Sequence, residues 1–405
     1  MRTKSPSMMR LMIAVYVPTF LLSFGQGIII PTLPLYAQSF GVNFGLASLV
    51  VAADGLGTLL ADVPVGMLLA RMGRKPLMVT GTLAVAVCNL ALVLAHFYPE
   101  LMAYRLIGGV GGAMWGISRL AYVTEVVPLS ERGKVLSTFG GIMRIGLFAG
   151  PAVGGYIGAT YGLSAPFLVY SALAFLAVLA SVVFVEEVNT AVHRSGRMRW
   201  RVVGNLVRSH YRDLLSAGAA QIGAQAIRAG RQIIIPLYGA SVLGLDVASV
   251  GTIISIAAAL DMSLFIPAGL IMDRFGRKWA SVPCFVILGI GMAMVPLASG
   301  FRGLLAATLV MALGNGLGSG TMMTLGADLA PKEATGEFLG LWRLIGDAGN
   351  SGGPLAVGSV ADLFGLGIAA LVLAAIGLAA ALTLAIFVRE TLAAPEPVEG
   401  QAAGG

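Results

Sequence analysis

The sequence predicts an all-α membrane protein with twelve transmembrane helices in two pseudo-symmetric six-helix bundles. Three observations lead there. Hydrophobic residues make up 57% of the chain and charged residues 11%, a balance foreign to soluble globules. Apolar runs of about twenty residues recur throughout, and each is long enough to cross a bilayer core as a helix. A ten-residue phrase also occurs twice, as GMLLARMGRK at 66–75 and GLIMDRFGRK at 269–278, 203 residues apart in a 405-residue chain. Each copy closes an apolar run with a turn carrying three positive charges. These are Arg71, Arg74 and Lys75 in the first copy and Arg274, Arg277 and Lys278 in the second. A repeat of this length points to a duplicated membrane protein.

The spans follow from the apolar runs. In the first half they are 9–36, 45–70, 76–96, 100–125, 134–160 and 165–186, so residues 1–186 form the N-terminal bundle. Residues 187–212 hold six Arg and two His and form a basic linker, part of it read as a surface helix anchored by Trp200. The second bundle, 213–388, has spans at 213–238, 247–272, 279–298, 303–327, 336–360 and 364–388. The Pro/Gly/Ala-rich tail 389–405 is expected to be disordered. The N-terminus leads into the first span with no small-residue cleavage site, so that span is expected to be retained.

Charge sets the orientation. The net charge is +7. Of 26 Lys/Arg, six lie within spans, and Arg302 alone falls in a loop on the far side. The other nineteen lie at the side of the termini, the linker and the even-to-odd turns. That side is therefore expected to be cytoplasmic, with both termini there and the chain in the cell membrane. The basic excess is a topology signal, and nucleic acid is not an expected partner. Cys88 and Cys284 fall inside spans and read as buried thiols, so neither a disulfide framework nor a metal site is expected.

The halves agree beyond the opening phrase. Pro34-Leu35-Tyr36 ends span 1, and Pro236-Leu237-Tyr238 ends span 7. Pro64 and Pro267 precede the two phrases, and Pro128 and Gly133 answer Pro331 and Gly336. Gly150-Pro151 answers Gly353-Pro354. Six spans plus six spans, joined by a basic linker, is a two-bundle transporter plan.

On these motifs the sequence resembles the major facilitator superfamily. The family's loop signature, Gly-x-Leu-[Ala/Ser]-Asp-[Arg/Lys]-x-Gly-[Arg/Lys]-[Arg/Lys], is matched by Gly66, Arg71, Gly73 and Arg74, and more fully by Asp273, Arg274, Gly276 and Arg277. Span 4 carries Arg-x-x-x-Gly as Arg105 and Gly109. Span 5 carries Gly146, Gly150, Pro151, Gly154 and Gly155, similar to the motif of proton-driven drug antiporters, with Ser137 where that motif has an earlier glycine. The resemblance implies alternating access, assigns Arg105 to proton coupling beside a carboxylate, and gives the bent span 5 a part in sealing the interior. Pro151 removes a backbone hydrogen bond and bends the helix on its own account.

Ionisable residues inside apolar helices are costly and are functional candidates by default. Asp347 and Arg144 are separated by the repeat offset, so opposite charges sit at matching depths. Arg343 is one turn before Asp347. They read as a proton or substrate site at the bundle interface, or as a structural ion pair. Asp54 reads as a proton carrier, or as a carboxylate neutralised by an inward-facing Arg119 or Arg144. Asp261 with Arg228 and Arg231 forms a candidate charge cluster in the C-terminal half. Asp62 reads as a gate or packing residue, and Glu125 as a helix-end charge. Gln26, Gln221 and Gln225 could hold a polar substrate group or bond between helices. Met114, Trp115, Phe139, Met143 and Trp342 could line an adaptable pocket or simply pack.

The glycine runs 109–116 and 314–320 lack the spacing of a nucleotide loop and read as close helix contacts. With no phosphate loop, an ATP-driven pump is not expected. No nucleophile–base set, metal motif or cofactor site is visible, so an enzyme is not expected. The leading expectation is a secondary active transporter, its partners being protons, lipid bilayer and a small amphipathic molecule, acting as a monomer and exporting its cargo. The alternatives are transport of a defined metabolite, such as a sugar or organic anion, and a membrane receptor without transport. Six intramembrane Arg against Asp54, Asp62, Asp261 and Asp347 leave two positive charges over, which would suit an anion. The first phrase has Ala70 where the family has Asp. The cytoplasmic latch of the first half is therefore expected to be weak, and Ala70→Asp to strengthen it.

Overall fold

The computed structural model describes residues 12–186, 204, 207–209, 211–331 and 334–392, and the regular elements among them are all helical. They form twelve rods. In the first half, α1 runs in three pieces, Met12–Tyr16, Val17–Ile29 and Leu33–Gln38. It is followed by α2 (Phe44–Met72), α3 (Arg74–Val93), α4 (Tyr98–Val126), α5 (Leu129–Tyr161) and α6 (Ala165–Phe184). In the second half, α7 is Tyr211–Leu237 continued by Tyr238–Val242, and α8 is Val247–Ser263 and Phe265–Phe275. Then come α9 (Arg277–Met294, extended by Val295–Leu297) and α10 (Gly300–Leu317, then Thr321–Leu329). The last two are α11 (Thr335–Phe364) and α12 (Leu366–Phe387).

Eight of these rods are long and apolar enough to cross a membrane: α2, α3, α5, α6, α8, α9, α10 and α12. The remaining four are the interrupted α1 and the charge-bearing α4, α7 and α11. Each contributes a polar side chain, Gln26, Arg105, Gln232 and Asp347, to a cavity between the bundles, which is where a membrane helix can carry it. The chain is accordingly a multi-pass membrane protein.

Local sequence explains where the rods begin and turn. The Asn43 side chain accepts a hydrogen bond from the Leu46 N–H at 2.9 Å and caps α2. Its repeat equivalent, Asp246, caps α8 by accepting from Ser249 N–H at 3.1 Å. The two basic phrases turn at Gly73 and Gly276, whose φ angles of 88° and 109° suit glycine. Rods α1–α6 bury a core around Met78, Leu92, Leu101 and Phe167, and rods α7–α12 one around Ile227, Phe285, Leu288 and Met292.

Small residues set the close crossings. A Cβ on Gly109 would collide with the Asp54 backbone carbonyl, so α2 and α4 meet backbone to backbone there. That crossing fixes the relative positions of Asp54 and Arg105, which lies one turn before Gly109. The glycine run of α10 behaves differently from the expectation of close contacts alone. Gly314 packs against the backbone of α9, but the rod breaks after Leu317 and restarts at Thr321. Glycine both permits close approach and removes the helix preference that keeps a rod continuous.

The bundles join through α2–α11 and α5–α8, the pairs exchanged by the repeat. At the end away from the basic turns these contacts are tight. The Gly45 N–H donates to Asp362 Oδ2 at 3.0 Å, and a Cβ on Gly358 would lie 2.7 Å from Gly45 Cα. Gly155 and Gly251 face each other in the same way, at 3.0 Å. Ser255 of α8 is spliced into the bend that Pro151 makes in α5. Its hydroxyl accepts from the Ala152 N–H at 2.8 Å and donates to the Phe148 carbonyl at 2.8 Å. Among the described residues, hydrogen bonds and ion pairs between bundles reach no further toward the basic turns than Asp62–Arg343. Asp62 lies eleven residues, or roughly 16 Å of helix, short of Gly73. Beyond it, a Cβ on Gly66, Gly269, Gly336 or Gly340 would meet nothing within 4 Å. The bundles are closed at one end and part toward the basic one.

At the basic end each half ties its own turn down. Arg74 pairs with Glu125 and, 203 residues later, Arg277 with Asp328 at 2.9 Å. Glu125 thus does more than end a helix. Arg274 lies over Phe275. Asp273 pairs with Arg277 at 3.7 Å but is 73% exposed, so in this state it does not reach the other bundle. The side chain of Ala70 lies outside the described residues. Arg389–Leu392, placed in a disordered tail by composition, is instead anchored. Glu390 accepts from the backbone N–H groups of Arg277 and Lys278 at 2.8 and 2.9 Å, and Thr391 donates to Asp328 at 2.7 Å. Burial pushes the Glu390 carboxyl up, but the N–H donors of Lys278, Leu392, Arg277 and Thr391 outweigh it and hold it below the usual glutamate range. The rest of the tail, and Trp200 with most of the linker, lie outside the described residues.

Candidate functional site

Three adjoining cavities run from inside the N-terminal bundle to the space between the bundles. The central one, about 250 Å³, is walled by α1, α2, α4, α5, α7 and α11 and includes Gln26, Asp54, Arg105, Gln232, Asp347 and Asn350. A second, about 240 Å³, opens into the N-terminal bundle and shares Gln26, Asp54 and Arg105 with the first. A third, about 290 Å³, lies toward the C-terminal bundle and is lined by Arg144, Arg231, Asp261 and Asn315. It shares Ile30, Leu147 and Gln232 with the central cavity.

On the N-terminal side, Asp54 Oδ1 pairs with Arg105 Nη1 at 3.4 Å. The Arg105 side chain is only 10% exposed, whereas that of Asp54 is 33% exposed. The partner of Asp54 is therefore Arg105, and not the Arg119 or Arg144 that depth alone had suggested. Arg119 lies instead over the Phe139 ring, 3.8 Å from its centroid. Gln26 lines two of the cavities.

On the C-terminal side a chain of two hydrogen bonds and an ion pair runs Arg228–Asn315–Asp261–Arg231. Arg228 Nε donates to Asn315 Oδ1 at 2.9 Å, Asn315 Nδ2 donates to Asp261 Oδ2 at 2.6 Å, and Arg231 Nη2 lies 3.7 Å from the same oxygen. The break in α10 supplies two further acceptors. Arg228 Nη2 donates to the Gly318 carbonyl at 3.2 Å, and Arg144 Nη2 to Ser319 Oγ at 2.5 Å. Irregular backbone is tolerated at membrane depth where it lines such a cavity. The Arg144 guanidinium also lies over the Phe265 ring, 4.4 Å from its centroid.

Between the bundles, Arg343 lies 3.4 Å from Asp62 and 3.6 Å from Asp347. Asp62 and Asp347 thus share one arginine, and Asp347 also faces the central cavity. Arg144 and Asp347, matched by the repeat, are not partners. Each faces a different cavity.

Other candidates separate from the site. Gln225 packs beside Gly346 where α7 meets α11, as does Gln221. Gln232, two turns further along α7, is the amide that lines the cavities; with Asn315 and Asn350 it was missed by sequence reading. Trp342 is buried and donates from Nε1 to the Met322 carbonyl at 3.0 Å, joining α11 to α10. Met143 and Trp115 do line cavities, whereas Met114 packs against the α2–α3 core.

The arrangement offers binding and charge compensation in a space open to one side, with ion pairs that a proton or ligand could exchange. Known proteins resemble the chain along most of its length. An uncharacterized MFS-type transporter of Methanocaldococcus jannaschii is 23% identical over 355 residues, covering 87% of this chain and 91% of that one. Multidrug resistance protein 2 of Bacillus subtilis is 24% identical over 355 residues, covering 85% and 87%. Among solved structures, a D-xylose-proton symporter superposes with a TM-score of 0.75 at 17% identity, covering 95% of this chain and 99% of that one, a likeness of fold. The family model of the Major Facilitator Superfamily matches residues 15–260 and again 221–404, and the chain belongs to that family.

Proposed function

We propose that the chain is a proton-coupled exporter of small amphipathic compounds, working by alternating access. The basic end is the cytoplasmic one by the positive-inside rule, so the opening between the bundles faces the cytoplasm. The observation that carries the reading is the Asp54–Arg105 pair. It stands on a wall common to two cavities, with its carboxylate partly open and its arginine almost buried. Protonating Asp54 removes one partner of the ion pair and leaves the almost buried Arg105 charge uncompensated. Such a change bears on which state of the transporter is favoured. The Bacillus subtilis relative, named for multidrug resistance, supports export of amphipathic cargo, and the D-xylose-proton symporter is an instance of the same fold working with a proton.

The test is flux in proteoliposomes under an imposed pH gradient, with ethidium and 1-naphthalenesulfonate as cargo. Asp54→Asn should abolish gradient-driven accumulation while energy-independent exchange persists. Asp347→Asn in parallel assigns or removes the second carboxylate of the central cavity. Undiminished accumulation by Asp54→Asn would overturn the coupling role.

A further inference from the structure

We infer that the cargo is an amphipathic organic anion, its acidic group held between Arg144 and Arg231, with the Arg228 charge behind them, and its apolar body against the walls of the C-terminal-side cavity. The inference rests on the transport reading above for its consequence, and on the charge inventory of that cavity for its substance.

Two guanidinium groups, Arg144 of α5 and Arg231 of α7, line that cavity, and Arg228 of α7 stands behind them, joined to it through Asn315. The one carboxylate among them is Asp261, already engaged by Arg231 and Asn315 through Oδ2. Arg228 is satisfied by neutral acceptors, the Asn315 amide and the Gly318 carbonyl. Among the described residues Arg144 has a hydroxyl and an aromatic ring as partners, and no carboxylate within ion-pair distance. The group therefore carries two uncompensated positive charges at membrane depth, where unpaired charge is most costly. An anion entering the cavity would offset that cost, whereas a cation would add to it.

The site is also held ready. The broken segment of α10 presents Gly318 and Ser319 to Arg228 and Arg144, so their planes need little ordering when a ligand arrives. Guanidinium groups fixed in this way match the planar or tripod oxygens of carboxylate and sulfonate. The remaining walls are apolar, with Ile30, Leu147, Phe148, Ile235, Ile254 and Met262. A bare inorganic ion would leave them unfilled. The volume of about 290 Å³, which shares Ile30, Leu147 and Gln232 with the central cavity, suits one or two fused rings bearing the acid.

The test uses two ring-matched probes, 1-naphthalenesulfonate and 1-naphthyltrimethylammonium, with inorganic phosphate as a third arm. Binding is measured by equilibrium dialysis on the full-length purified protein, whose folding is checked by thermal melting. The sulfonate should bind and the ammonium should not, and phosphate should compete poorly. Arg144→Gln and Arg231→Gln should each weaken the sulfonate about tenfold or more, and Arg144→Lys should recover most of that loss. Asp261→Asn should tighten it, because it removes the competing negative charge; a purely structural arginine cluster would instead loosen. Equal or preferred binding of the ammonium, absent sulfonate binding, or indifference of a folded Arg144→Gln would each overturn the inference. Flux separates this from the export reading. Sulfonate that binds but is not driven by a pH gradient leaves the cargo class standing and removes the coupling. An ammonium probe that is driven while the sulfonate is ignored does the reverse.

Discussion

Replacing Gly251 with valine should push the bundles apart at their closed end. In the state described here, a Cβ on Gly251 would meet Gly155 Cα at 3.0 Å and the Pro151 carbonyl more closely still. Both are backbone atoms of the facing rod, so neither can rotate aside. Overpacking of this kind costs about 1–3 kcal/mol. The cost falls only on the state in which α5 and α8 touch, so it becomes a population shift of roughly 5- to 150-fold toward the opposite state. The assay is thiol cross-linking between Gln38→Cys and Ser241→Cys. These side chains approach to 3.5 Å across the closed end, and the two native cysteines are buried and do not compete. Cross-linking should fall sharply with Gly251→Val. The control is Gly269→Val at the open end, where an added Cβ meets nothing within 4 Å; it should leave cross-linking unchanged or raise it, since it hinders closure there. Unchanged cross-linking in a folded Gly251→Val protein would refute the idea that this contact parts during the cycle.

Two further outcomes concern fixed contacts. Ser255→Ala removes both hydrogen bonds that the Ser255 hydroxyl makes at the Pro151 bend. It should cost about 1–2 kcal/mol in all, seen as a lower melting temperature and weaker closed-end cross-linking, while Ser255→Thr should retain most of both. Glu390 has a folded-state pKa depressed below its ordinary 4.5, so its stabilisation is full above that value and is lost as pH falls through the depressed one. Melting temperature should therefore drop on acidification below about pH 4.5, a drop that Glu390→Gln makes shallower; parallel pH curves for the two proteins would count against the tail's anchoring role.

The fold was legible because membrane helices announce themselves by length and apolarity, and because the repeat doubled every signal. Depth along a rod was legible too, which is why Asp54, Asp261 and Asp347 stood out. What could not be read was azimuth and crossing. Arg105, Arg119 and Arg144 all lie within reach of mid-membrane, but only the Gly109 crossing brings Arg105 to Asp54. Gln225 and Gln232 are seven residues apart and share a helix face, yet about 10 Å of rise puts one in a packed contact and the other in the cavity. The break in α10 was hidden for a different reason. Gly314 serves close approach and Gly318–Gly320 a break, and nothing in the spacing of the four glycines separates the two uses.

The repeat itself divides framework from function. Residues that obey the 203-residue offset hold the architecture: the caps Asn43 and Asp246, the turns at Gly41 and Gly244, Gly73 and Gly276, Gly162 and Gly365, and the pairs Arg74–Glu125 and Arg277–Asp328. The charged residues of the cavities break it. Asp54 answers to Ala257, Arg105 to Thr308, Asp261 to Thr58, Arg228 to Gly25 and Arg231 to Ile28, while Arg144 answers to an opposite charge in Asp347. Two bundles that rock about a common centre need matching scaffolds, because the same contacts must be made and broken on both sides. They have no such need for matching linings. On the function proposed above, one half holds a neutral carboxylate–arginine pair, open to protons, and the other a surplus of arginine, open to an anion. Cargo and coupling ion can then occupy separate walls of a single opening, and each can be altered without rebuilding the frame that moves them.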